Sequence, residues 1–116
     1  MAKNSAEFDE ILLNAIDEAL NSLGESVKHS IYFHIESKFY VPRNRIPENL
    51  EEFQGALEKI FGTGARFIEI LIMKNLHSKI GLPLKIEDTQ LEFVKYVDAA
   101  REGFMKKRVH ADINSY

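Results

Sequence analysis

Glu69 is the residue whose position asks for chemistry. It stands in Phe67-Ile68-Glu69-Ile70-Leu71-Ile72-Met73, where all its neighbours are apolar. A carboxylate buried in such surroundings must be paired, hydrogen-bonded or protonated. Arg66 lies three residues earlier, a helical spacing that puts both side chains on one face and allows an ion pair. We expect a buried Arg66–Glu69 pair that fixes this helix against its neighbour. The functional alternative is a perturbed acid in a pocket, with His34 and Glu69 around a small molecule.

Other residue types with chemical potential point to less. Gly62-Thr63-Gly64 has the glycines of a phosphate cradle. It follows a helical pattern rather than a strand, and the Lys-Ser/Thr pair of such loops is missing. It reads as a helix–helix turn. No two of His29, His34, His77 and His110 stand three or four apart, the spacing of a helical zinc site. His34 lies beside an apolar face and is expected to be a satisfied core residue. No Ser/His/Asp order or paired-carboxylate pattern is present, so neither catalytic residue nor cofactor nor metal is assigned. Arg43 and Arg45 sit in a proline-bracketed loop, and Lys106, Lys107 and Arg108 form a basic turn; together they could touch phosphates. The turn has a plainer explanation, because cations offset the helix dipole at a C-terminus.

These residues must be positioned by helices, since the apolar spacing has the helical period throughout. Helix 1 is expected from about Asn4 or Ser5 to Leu20, with Phe8, Ile11, Leu12, Ala15, Ile16 and Ala19 on its stripe. Leu13 falls off that stripe, which reads either as trivial exposure or as a contact with another chain. Helix 2 covers about 25–39 behind a capping box of Ser22 and Glu25. Its Val27, Ile31, Ile35 and Phe39 share one face, while Phe33 and Tyr40 project to another. Pro47 is placed to start helix 3, which ends near Ile60, with Gly62 as its stop. Gly55 inside it marks a close helix crossing. Helix 4, about 64–79, is capped by Thr63 and apolar round most of its circumference, Ile72 included, as a central or inter-subunit helix would be. Gly81 and Pro83 terminate it. Thr89-Gln90-Leu91-Glu92 is a second capping box, and helix 5 runs to about Arg108. The expected fold is all-α: one domain of about five helices over residues 1–109, with a flexible polar tail over 110–116.

Bulk properties bound the rest. A chain of 116 residues suits one core. The longest apolar run, Ile70 to Met73, is far short of a membrane span. Cysteine is absent, which excludes disulfides and thiolate sites and fits a cytoplasmic chain. Met1-Ala2-Lys3-Asn4 leads straight into an acidic amphipathic segment, unlike a signal peptide. The net charge of −3 argues against general nucleic-acid binding, which needs a net positive face.

Three groups of residues form a further pattern: Leu23-Gly24-Glu25-Ser26 with Ile31-Tyr32; Ile46-Pro47 with Phe53, Leu57, Ile60, Phe61, Gly62, Gly64 and Ala65; and Glu69, Ile72 and Leu76. Over roughly residues 19 to 81 this pattern resembles a small archaeal domain family, the Nitrosopumilus output domains. The resemblance implies a stand-alone protein or an appendage of an archaeal signalling protein, acting in output or interaction. It adds no catalytic residue. The leading expectation is therefore a non-enzymatic, homodimeric interaction module in archaeal signalling or regulation, with Leu13, Phe33, Tyr40 and Ile72 as interface candidates. A partner protein could take the place of the second copy. The alternatives are a nucleic-acid-associated regulator using Arg43, Arg45 and Lys106 to Arg108, and a small-molecule sensor.

Overall fold

The computed structural model describes residues 2–85 and 92–114, with side chains over 5–85 and 92–109. The expected all-α bundle is what it shows. Its helices are α1 (Ala2–Asn21), α2 (Glu25–Phe39), α3 (Leu50–Phe61), α4 (Ala65–Ile80) and α5 (Phe93–Asn114). Two 3₁₀ turns, Arg43–Glu48 and Gly62–Gly64, lead into α3 and α4.

α1 and α4 form the most extensive helix pair, and α5 packs across both. The stripe of α1 is fully buried at Phe8, Leu12, Ala15, Ile16 and Ala19. Leu13, expected either to be exposed or to face another chain, belongs instead to this chain's own core. α1 meets α2, α4, α5 and the first 3₁₀ turn, so its apolar face is broader than one stripe. Ile72 is likewise fully buried within the chain and is not an interface residue of the free surface. α5 docks through tilted aromatic pairs, Phe104 on Phe8 at 5.8 Å and Phe93 on Phe53 at 6.2 Å between ring centres. Burying each such side chain is worth about 1.5–3 kcal/mol.

Helix ends depart from the expected caps. Ser22 Oγ donates back to Ala19 O at 2.6 Å instead of capping α2. Gly24, at φ 115°, holds the N-cap position with no side-chain cap. Pro47 sits inside the 3₁₀ turn rather than opening α3, which starts at Leu50. Thr63 lies within the second 3₁₀ turn, and α4 has no side-chain cap. The expected capping box at Thr89-Gln90-Leu91 falls outside the described residues. α5 continues to Asn114, past the expected end near Arg108. Gly55 is not at a close crossing: a Cβ there would meet no heavy atom within 4 Å. The end of α4 is as expected. Gly81, at φ 71°, and Leu82 both donate to His77 O, at 3.0 and 3.3 Å.

Candidate interaction surface

α2 is the least buried helix. Only Ile31 and Ile35 are buried in it, because it rests on α1 and α3 by one narrow edge. Its outer side carries Ser26, Ser30, Phe33 and Ser37, all exposed. Phe33 is 75 % exposed and Tyr40, just past the helix end, 85 %. The expected outward projection of this aromatic pair is therefore present.

Tyr40 is unusual in its backbone as well as its exposure. It adopts φ 60°, ψ 31°, and its N–H donates to Glu36 O at 3.1 Å to close the helix. Among the described residues it is the one non-glycine with positive φ; Gly24, Gly62 and Gly81 hold the other such positions. The left-handed region costs an L-residue about 1–2 kcal/mol, which glycine avoids. Such a conformation persists only where the surroundings over-determine it. Here the next residue, Val41, is buried, and Arg43 is held by α1. Arg43 Nε donates to Asp17 Oδ1 at 3.0 Å and Nη2 donates to Oδ2, while Tyr32 Oη of α2 donates to Asp17 Oδ1 at 2.5 Å. Burial alone would raise the Asp17 pKa, but the hydrogen bonds from Arg43 and Tyr32 outweigh it and hold the carboxyl below its ordinary value. Burial, then the Asp17 carboxylate, push the Tyr32 phenol up. One carboxylate thus joins α1, α2 and the segment after Tyr40.

A groove of about 580 Å³ runs between α2 and the last turn of α3. Ser26, Val27, Ser30, Ile31 and His34 form one wall, and Lys59, Ile60 and Phe61 the other. His34 is exposed on its rim, not a core residue, and its ring contacts Phe39 at 6.2 Å between centres. It lies off the helix edge that packs on α1 and α3. Glu69 is not among the groove's lining residues, so the two halves of the expected sensor pocket are not brought together.

Glu69 is buried at 3 % exposure on the inner face of α4, but Arg66 is exposed and no ion pair between them occurs among the described residues. The expected buried pair is therefore absent. The groups that approach the carboxylate from α3 are Gln54 and Glu58, and Oε2 is left without a hydrogen bond. Burial first, then the like charge of Glu58, raise its pKa from 4.5 to about 7; Gln54 and Arg66 offset this only in part. α4 also shows an open side, where Phe67 is 76 % exposed.

Most cations proposed for phosphate contact are engaged within the chain. Arg43 pairs with Asp17, Arg45 with Glu48 at 3.7 Å, and Arg108 with Glu7 at 2.8 Å. Lys107 Nζ donates to Ile80 O at 3.1 Å, where it closes the end of α4, and Lys106 is exposed. Glu7 and Asp17 stand ten residues apart on α1, so the two basic groups are held about 15 Å apart along that helix. Among the described residues no three His, Asp or Glu side chains could hold a metal ion, and no helix is long and apolar enough to cross a membrane. The strain at Tyr40 was not visible in the sequence, since no residue type there announces positive φ. No family model, curated protein or solved structure matches the chain.

Proposed function

We propose that this protein is a non-enzymatic interaction module that works as a homodimer, with the outer side of α2 as its contact surface. The observation that carries this reading is Tyr40, an 85 % exposed aromatic held in a backbone conformation that glycine would adopt without strain. Buried Val41 and the Arg43–Asp17 pair hold the backbone there, and an exposed tyrosine contributes little to its own fold, so a tyrosine rather than a glycine at this position is accounted for by a contact made outside the chain. Phe33, exposed on the same side, extends the contact, and aromatics are the side chains that anchor interfaces. A second copy is the occupant that needs no further component. The signalling or regulatory setting rests on the resemblance of residues 19–81 to the archaeal output domains.

The test is Tyr40→Gly. Compared at concentrations low enough for the native chain also to be monomeric, the variant is expected to unfold at higher denaturant, by about 1 kcal/mol, because the strain is relieved. In sedimentation at micromolar concentration it should dissociate where the native chain is a dimer. A native chain that sediments as a monomer, or a Tyr40→Gly dimer as tight as the native one, would remove the proposal.

A further inference from the structure

We propose that the groove between α2 and α3 binds a small organic anion, an apolar body that carries one carboxylate. The site stands apart from the dimeric reading, which rests on Phe33 and Tyr40. The α2 wall of the groove is built in two parallel rows. Ser26, Ser30 and His34 are four residues apart, so they follow one another turn by turn over about 12 Å. Val27 and Ile31 form the adjoining row, with Ile31 buried and Val27 41 % exposed. Ile60 and Phe61, half-buried in the last turn of α3, complete the apolar lining from the other wall. A strip of apolar surface thus runs beside a strip of hydrogen-bond donors.

The charge of the ligand follows from what the groove leaves unmatched. Lys59, on the α3 wall, is in no ion pair among the described residues, and the residues one turn before it are Gly55 and Ala56, which offer it no carboxylate. The hydroxyls of Ser26 and Ser30 make no side-chain hydrogen bond among the described residues, and His34 has only its ring contact with Phe39. No Asp or Glu lines the groove, although acids outnumber Lys and Arg by 18 to 15 in the chain. An ammonium, an imidazole N–H and two hydroxyls can all donate to an anion. One lysine offsets one charge, which suits a carboxylate; a phosphate dianion is better met by the forked guanidinium of arginine, and no arginine lines the groove. The volume of about 580 Å³ is that of a small-molecule site, mostly apolar with a few placed polar groups. A protein partner would need about 20–30 residues on this side, whereas eight line the groove.

The test is a titration of the isotope-labelled chain with octanoate, read by amide chemical shifts. Saturable shifts are expected, centred on residues 26–34 and 59–61. Octan-1-ol, which keeps the chain without the charge, and inorganic phosphate, which keeps charge without the chain, should each bind several-fold more weakly. Lys59→Gln should weaken octanoate about threefold to fivefold, the range of an exposed ion pair. Lys59 is exposed, so this variant keeps the fold and the comparison stays decisive. Val27→Glu places a carboxylate in the apolar row, in the first turn of α2 where an acid suits the helix dipole, and should abolish binding. No saturable shift at millimolar octanoate, shifts centred elsewhere, octan-1-ol or phosphate binding as tightly as octanoate, or a Lys59→Gln chain that binds it undiminished would each overturn the proposal.

Discussion

Replacing Glu69 with glutamine tests how a carboxyl is tolerated in the core of this bundle. The side chain is 3 % exposed, Oε2 lacks a hydrogen bond, and Glu58 adds like charge from α3. These conditions favour the neutral form, and the carboxyl titrates at about 7 instead of 4.5. The folded chain thus holds this proton more tightly than the unfolded chain. The group's contribution is most favourable below pH 4.5 and is lost as pH rises from there through about 7. Over that window the native chain gives up about 3 kcal/mol. Glutamine keeps the shape and never ionises. Urea unfolding followed by far-ultraviolet circular dichroism, at about pH 4 and about pH 8, should show the variant gaining about 3 kcal/mol on the native chain between the two. Taking the difference cancels any fixed cost of the buried amide. Glu58→Gln, which removes only the secondary cause, should produce a smaller change of the same sign. A native–variant difference that stays constant with pH would refute the reasoning, because Glu69 would then titrate as an ordinary carboxyl.

Two further outcomes are expected. Gly55→Ala should stabilise the fold by about 0.5–1 kcal/mol, because the site is helical and a Cβ there meets open space; a lower urea midpoint would contradict that geometry. Asp17→Asn should cost at most about 1 kcal/mol near neutral pH, since the Arg43 side chain is 41 % exposed and its attraction is screened. The native chain should lose this contribution as pH falls below the ordinary aspartate value of 3.8, because the folded carboxyl titrates lower still; the variant should lack that acid-side loss in the same denaturation series.

Helices were legible because burial of one stripe imposes a period that a single sequence carries openly. α2 runs over the expected 25–39, and α4 lies one residue from the expected 64–79. Gly81 ends α4 as read, since its left-handed conformation is a local requirement of the chain. Caps were less legible. Ser22 has the residue type and spacing for a cap, yet bonding back to Ala19 satisfies its hydroxyl equally well.

The site depended on which helix stands beside which. Spacing placed Arg66 and Glu69 on one helix but could not say that only Glu69 turns inward, toward Gln54 and Glu58 of α3. Leu13 and Ile72 read as surplus apolar residues until other helices of the same chain covered them. Phe33 and Tyr40 read the same way and stayed uncovered. The sequence by itself determined an all-helical chain, the places where its helices break, and an isolated carboxylate in an apolar run, because these follow from local periodicity and residue type. The tertiary structure alone decided that Asp17 joins Tyr32 and Arg43, that Tyr40 is strained and exposed, and that one face of α2 lacks a cover. These are contacts between residues distant in the chain, or the lack of them, and packing rather than spacing determines which surfaces remain.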